Sequence, residues 1–194
     1  MRITLLSVLP AIVSLVQAAP HSRPSTPVNP RAQATSETCG SITDLVPLFE
    51  IYAPANTVHF YTVDDSTITS AMQSDVYTFN GVAALIFPTT EPSTVPFFCL
   101  VNTGISTFFY TTSATERSSA LASGYSDDGI AGYVYPTQIC GSVPLYRAHF
   151  IGANADYLYT TSAAERDNAV LNQGFVDEGI AGYVVELASG IIID

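Results

Sequence analysis

One stretch of this chain is written about three times. Pro47, Pro96 and Pro144 open the copies, so the period is 49 and then 48 residues. The two clear copies run from PFFCLV (96–101) to FFYTTSATERSSALASGYSDDGIAGYVY (108–135), and from PLYRAH (144–149) to YLYTTSAAERDNAVLNQGFVDEGIAGYVV (157–185). A degenerate copy precedes them as PLFEIY (47–52), HFYTVDDSTITSAMQ (59–73) and YTFNGVAAL (77–85). A fixed period of this size means one supersecondary unit repeated. It also changes how a recurring Tyr or Glu is read, because such a residue serves the mechanics of the repeat before it serves any chemistry.

The third copy spells out the unit. Leu145–Phe150 alternates on a two-residue period and follows Pro144, as the start of a strand. Tyr146, Ala148 and Phe150 are expected to face inward, with Phe49 and Ile51 or Phe98 and Leu100 in the other copies. Leu145, Arg147 and His149 take the opposite face. After a short loop, Tyr157–Thr161 makes a hairpin partner. Ser162 with Glu165, and Ser113 with Glu116, read as capping boxes, whereas the first copy has Asp64 and Thr67 at those positions. The helices are short, with Ile68, Ala71 and Met72, then Leu121, then Val170 and Leu171 as their apolar residues, and Gly124 and Gly174 as stops. Turns at Phe79-Asn80-Gly81, Asp127-Asp128-Gly129 and Asp177-Glu178-Gly179 lead into a buried last strand. Gly132 and Gly182, with Ala84 in the first copy, mark a close approach of another backbone or helix.

The fold class is therefore α+β: three strand–strand–helix–strand repeats, expected to close into a pseudo-threefold barrel with three outer helices. One unit cannot bury its own apolar face, and no polar capping repeat is present, so closure is favoured over an open stack.

The flanks differ in kind. Residues 1–18 have a positive start, an apolar run and a small-residue end, and a signal peptide is expected there. Residues 19–38 are rich in Pro, Ser and Thr and read as a disordered arm. A single domain is expected over 39–188, with repeats at about 44–90, 91–139 and 140–188. No later run is long and apolar enough to span a bilayer. The chain has no Lys, and its six Arg against seventeen acidic residues give a net charge of −11. Duplex DNA, RNA and anionic membranes are poor partners for such a chain. A secreted, extracellular monomer that meets a glycan or a surface protein fits better.

Three cysteines travel an oxidising route. Cys39-Gly40-Ser41 and Cys140-Gly141-Ser142 repeat one tripeptide ahead of the first and third copies, so ring closure would bring Cys39 beside Cys140. That pairing is preferred, with Cys99 free inside its strand; 99–140 and 39–99 remain open.

PLYRAH, YLYTTSAAERDNAV and GFVDEGIAGYVV resemble a family of secreted bacterial and fungal repeat proteins of unknown function. Its repeat reads roughly PLYRLY, HFYTT, AER and EGIAGYVY. The resemblance covers about residues 44–186 and implies an accessory, surface-binding role, since such domains occur beside extracellular hydrolases or alone. The family's His-Phe-Tyr-Thr stands here as His59-Phe60-Tyr61-Thr62, while the later copies carry Phe108 and Tyr157 in place of the His.

Seven residues are candidates for ligand binding: His59, Tyr110, Arg117, Asp128, Tyr159, Arg166 and Glu178. Tyr61, Tyr110 and Tyr159 share one position. They are either platforms for sugar rings or core tyrosines with bonded hydroxyls. Arg117 and Arg166 sit in the first helical turn, where the helix dipole disfavours a cation. They either reach a ligand or pair with the acids of the following turn. The first copy loses Arg and acid together, which favours pairing. No cofactor, metal set or catalytic constellation is legible: His59 and His149 lack metal spacing, and no G-x-S-x-G elbow occurs. The leading expectation is a non-catalytic carbohydrate-binding module at a cell wall or surface. The rivals are a small glycoside hydrolase using carboxylates such as Asp128 and Glu178, and a protein-binding effector or structural protein.

Overall fold

The computed structural model describes residues 37–152 and 154–187. The expected signal peptide, and all but the last two residues of the expected arm, lie outside the described residues.

Among these residues one element order occurs three times. The first unit contains β1 (Val46–Ala53), β2 (Val58–Thr62), α1 (Asp65–Met72) and β3 (Thr78–Ile86). The second contains β4 (Val95–Asn102), β5 (Thr107–Thr111), α2 (Ala114–Ala122) and β6 (Ser126–Val134). The third contains β7 (Val143–Phe150), β8 (Asp156–Thr160), α3 (Ala163–Asn172) and β9 (Phe175–Val184). Each unit is a separate antiparallel sheet with its first strand in the middle: β2-β1-β3, β5-β4-β6 and β8-β7-β9.

The expected closure into a barrel does not occur. Among the described residues no ladder runs from one sheet to the next; neighbouring units share the single bridges Leu85–Val185, Phe87–Tyr133 and Tyr135–Tyr183. The physical reason lies at the other edge of each sheet. β2, β5 and β8 converge on the pseudo-threefold axis, and there tyrosine hydroxyls take the groups that strand pairing would have used. The N–H of Tyr61 donates to Tyr110 Oη at 3.0 Å, that of Tyr110 to Tyr159 Oη at 2.8 Å, and that of Tyr159 to Tyr61 Oη at 2.9 Å. Tyr110 and Tyr159 hydroxyls donate onward to the carbonyls of Tyr61 and Tyr110, each at 2.7 Å. The edges are thus satisfied by a ring of phenols instead of by neighbouring strands.

The core has two layers, where the alternation alone implied one. Leu48, Phe97 and Leu145, at most 1% exposed, pack around the tyrosines on the axis side. Ala148 and Leu158 lie on the other side, under Ala169 of α3. Leu145 and Arg147 were expected to face outward; both are buried because the other two units cover that face. The helices ride shallowly. Met72, Leu121 and Leu171 were expected to pack but are exposed, and the smaller Ala169 makes the buried contact, with Val170 partly buried beside it. A helix seated on a small residue lies close to its sheet and leaves its longer apolar side chains at the rim.

The caps form, with one correction. Ser113 and Ser162 accept from the N–H of Glu116 and Glu165, each at 3.2 Å. The glutamates do not reach back to the cap amide. Thr160 relays instead: Ser162 N–H donates to Thr160 Oγ1 at 3.0 Å, and that hydroxyl donates to Glu165 at 2.6 Å. Thr111 does the same for Ser113 and Glu116. Gly182 is required by close approach, since a Cβ there would stand 2.8 Å from Val134 Cγ2 of the preceding unit. Cys39 and Cys140 form the preferred disulfide, with Cα atoms 5.7 Å apart, and Cys99 is buried and free.

Candidate functional site

Each helix and the strand start that follows it form one wall of a cleft; the next unit forms the other. Three such clefts recur at equivalent places.

Between units one and two, Ser70, Ser74 and Tyr77 face Phe108 and Asp128 across about 560 Å³. Between units two and three, Ser119, Ser123 and Tyr125 face Arg147, Tyr157 and Glu178 across about 380 Å³. Between units three and one, Gln173 and Phe175 face His59 and Asn80 across about 370 Å³, with Tyr52 and Phe150 adding aromatic walls. One wall therefore carries Tyr77, Tyr125 or Phe175 at one repeat position. The other carries Phe108, Tyr157 or His59, beside Asp128, Glu178 or Asn80.

The electrostatics differ from cleft to cleft. In the second, Arg147 is 8% exposed and lies between two carboxylates. Its Nη1 and Nη2 reach Glu116 at 3.0 and 2.8 Å, its Nε lies 2.7 Å from Glu178, and its guanidinium covers the Phe109 ring at 5.0 Å. The hydrogen bonds from Arg147 hold the Glu116 carboxyl below its usual range. Burial pushes Glu178 up, but the His149 hydrogen bond and the Arg147 charge outweigh it and leave it low. His149 lies 3.3 Å from Glu178 and stacks flat on Tyr157, with ring centres 4.1 Å apart. Here the protein supplies its own cation and its own anions.

Behind the first cleft Cys99 stands at the Arg147 repeat position, 3.7 Å from the cleft residue Asp128. Burial pushes its thiol up to about 12, so it is protonated at neutral pH and no ready nucleophile. Glu50 holds that repeat position behind the third cleft, next to the cleft residues His59 and Asn80. His59 Nδ1 bonds Asp156 at 2.7 Å, and His59 Nε2 lies 3.6 Å from Glu50.

The seven sequence candidates separate into three groups. Tyr110 and Tyr159 are in the axial hub at 0% exposure, so a sugar ring does not reach them; they are core tyrosines with bonded hydroxyls, and burial lifts their ionisation well above the usual range. Arg117 and Arg166 strap each helix to the strand that follows it, at a bulge in β6 or β9 and not at the expected turn. Arg117 pairs with Asp127 over the Phe98 ring at 4.6 Å. Arg166 reaches Asp167 at 2.8 Å and Asp177 at 3.6 Å, over the Tyr146 ring at 4.4 Å. The partner is the first acid of each turn. The second acids, Asp128 and Glu178, point into clefts, and His59 lines the remaining one. These three candidates thus occupy one cleft each, and Asp128 and Glu178 do not share one.

Sequence reasoning missed the aromatic wall of Tyr77, Tyr125 and Phe175. A signal existed, since Tyr125 and Phe175 directly follow the helix-stopping Gly124 and Gly174. It also missed Arg147 as a cleft residue, because two-residue alternation says which face a side chain takes and not what crosses from the next unit.

Among the described residues, one close group of metal-ligating types occurs: Glu37, Cys39 and Cys140. Its two sulfurs are joined to each other, which removes them as thiolate ligands. No helix of the described residues is long and apolar enough to cross a membrane.

The family model described as "Domain of unknown function (DUF5648)" matches residues 47–185, the span of the three units. No curated protein and no solved structure matches the chain.

Proposed function

The chain belongs to that family, whose description assigns no activity, and from this premise we propose that it is a secreted, non-catalytic module that binds carbohydrate at a cell wall or surface through the three clefts between its units. One observation carries the reading: an aromatic ring recurs on one wall of every cleft (Tyr77, Tyr125, Phe175), opposite a second ring (Phe108, Tyr157, His59). Sugar rings stack their apolar faces on aromatic side chains, and the polar groups beside each pair meet their hydroxyls. Asn80 and Gln173 offer donors and acceptors in the third cleft, and Ser119 and Ser123 in the second.

The clefts are shallow enough that each alone would bind weakly. Three on one rigid frame gain from multivalency when the ligand is a polymer or a surface. The acidic surface leaves neutral or weakly charged glycans as the favoured class.

The test is a glycan array with pull-down on insoluble chitin, β-glucan and cellulose, comparing the wild type with a Tyr77→Ala, Tyr125→Ala, Phe175→Ala triple variant. Saturable binding by the wild type, lost in the triple variant while the fold remains, is the expected result. Release of reducing ends would replace the module with a glycoside hydrolase. Sugar binding equal in both proteins would remove the clefts from the account, and no sugar binding at all would turn the search toward a protein partner.

A further inference from the structure

We propose that His59, Asp156 and Glu50 form a proton-operated latch that closes the first unit onto the third. The chain runs directly from unit one to unit two and from two to three, whereas no chain segment directly links the first unit to the last; they are joined by the Cys39–Cys140 disulfide at their lead-ins, the Leu85–Val185 bridge and side chains. Asp156, 2% exposed, stands at the head of β8 on the third-unit side of that seam. It accepts two hydrogen bonds from a single residue of β2: the His59 backbone N–H at 2.7 Å and His59 Nδ1–H at 2.7 Å. On the far side of the ring, Nε2 lies 3.6 Å from Glu50. Where Asp156 and His59 stand at this seam, the other two have Val58 with Phe108 and Thr107 with Tyr157. Neither of those pairs an acid with a base.

A neutral imidazole carries one N–H. With that proton on Nδ1 facing Asp156, Nε2 presents a lone pair to a second carboxylate. The imidazolium alone donates on both sides. Among the described residues, the groups facing the ring are Glu50 and Tyr52 from β1, Tyr61 from its own strand, Asp156 from β8 and Glu165 from α3. Asn80 of β3 donates to Glu50 at 3.0 Å. No cationic side chain is among them; at the preceding seam Arg147 occupies the place of Glu50.

Burial works against the charged ring, but the hydrogen bond to Asp156 and the charges of Asp156, Glu50 and Glu165 raise His59 above its ordinary value. Burial also raises Glu50, with Asn80 and His59 offsetting part of the effect. Both shifts act in one direction. The His59 contribution is complete below the unpaired value of 6.5 and is lost as pH rises through the raised folded value. Glu50 prefers its protonated form in the folded state, so its ionisation with rising pH costs stability as well. The seam is tightest in a mildly acidic medium and loosens toward alkaline pH.

The test uses the oxidised, full chain. The His59 ring is titrated by NMR, and exchange of its amide is followed with the amides of Tyr110 and Tyr159, which donate to hydroxyls of the axial tyrosine hub, as internal controls. The ring is expected to titrate above 6.5. Protection of the His59 amide, corrected for intrinsic rate, is expected to fall about tenfold from about pH 5.5 to about pH 8.5, while the controls hold. His59→Gln, an uncharged donor, is expected to shrink that dependence to the share that Glu50 contributes. A ring that titrates at or below 6.5, or a ratio of His59 to Tyr110 protection that does not move with pH, overturns the latch. The ring titration decides by itself where the variant fails to fold.

Discussion

A phenol has one proton to give and lone pairs to accept with, and the tyrosine hub uses both. Tyr110 takes the N–H of Tyr61 and gives its own proton to the Tyr61 carbonyl. Tyr110→Phe keeps the ring and strands that amide and carbonyl in a site of 0% exposure. The expected loss is about 2 kcal/mol or more by urea denaturation, the cost of unsatisfied buried groups. A loss below about 0.5 kcal/mol would mean that the ring, and not the hydroxyl, holds the axis. Arg147 is the second residue on which much depends. Arg147→Ala leaves Glu116 and Glu178 facing each other and is expected to cost about 2–3 kcal/mol, discounted from the fully buried case because both carboxylates keep water contact. Arg147→Met restores the stem's packing and is expected to recover part of the loss. Equal stability of all three proteins by chemical denaturation would show the ion cluster to be energetically idle. Recurrence in sequence marked Tyr110 and Tyr159 as important but did not say which way they point. Arg147 does not recur, so nothing in the repeat drew attention to it.

At the scale of elements, most of what was legible was local. Serine caps and glycine stops depend on residues within a few positions of each other and form where the chain spells them, whereas the expected acid-glycine turns are bulges inside β6 and β9, with Gly129 and Gly179 at positive φ. The Arg straps were legible because both partners vanish together in the first unit. Phe49 and Phe79, with ring centres 6.0 Å apart, fill that space there, a contact that pairing logic does not anticipate. The threonine relay was not legible, because Ser-x-x-Glu is compatible with either a direct or a relayed bond. Thr160→Val separates the two. It keeps shape and removes the hydroxyl that serves both Ser162 N–H and Glu165. A loss of about 1 kcal/mol, measured by thermal unfolding, is expected for the relay. No loss would mean that the cap rests on the serine alone.

Across the whole molecule the period was legible and the closure was not. Spacings of 49 and 48 residues fix how many units there are. Whether they join by strands or by side chains is decided by what sits at the converging edges, and three tyrosine hydroxyls decide it against a barrel. The same pseudo-symmetry gives three seams of one geometry and unlike charge, and these set how the domain responds to pH. Glu116 and Glu178 in the second seam, Asp127 in its strap and Asp64 at its cap all ionise more readily than usual. Their stabilisation is present above the unfolded carboxylate values and is lost as pH falls through the lower folded ones. His59 has the opposite sense: its contribution is present below 6.5 and is lost as pH rises through its raised folded value. Glu50 opposes the other carboxylates, since burial raises it, and it trims the plateau from the acid side upward. Melting temperature is therefore expected to be highest between about pH 4.5 and about pH 6.5, falling on both sides. His59→Gln is expected to reduce the alkaline limb, leaving the Glu50 share, and Arg147→Met to reduce the acid limb, leaving the Asp64 and Asp127 share. A maximum at or above about pH 8 would mean that the second seam governs the fold and the closing seam contributes nothing that titrates.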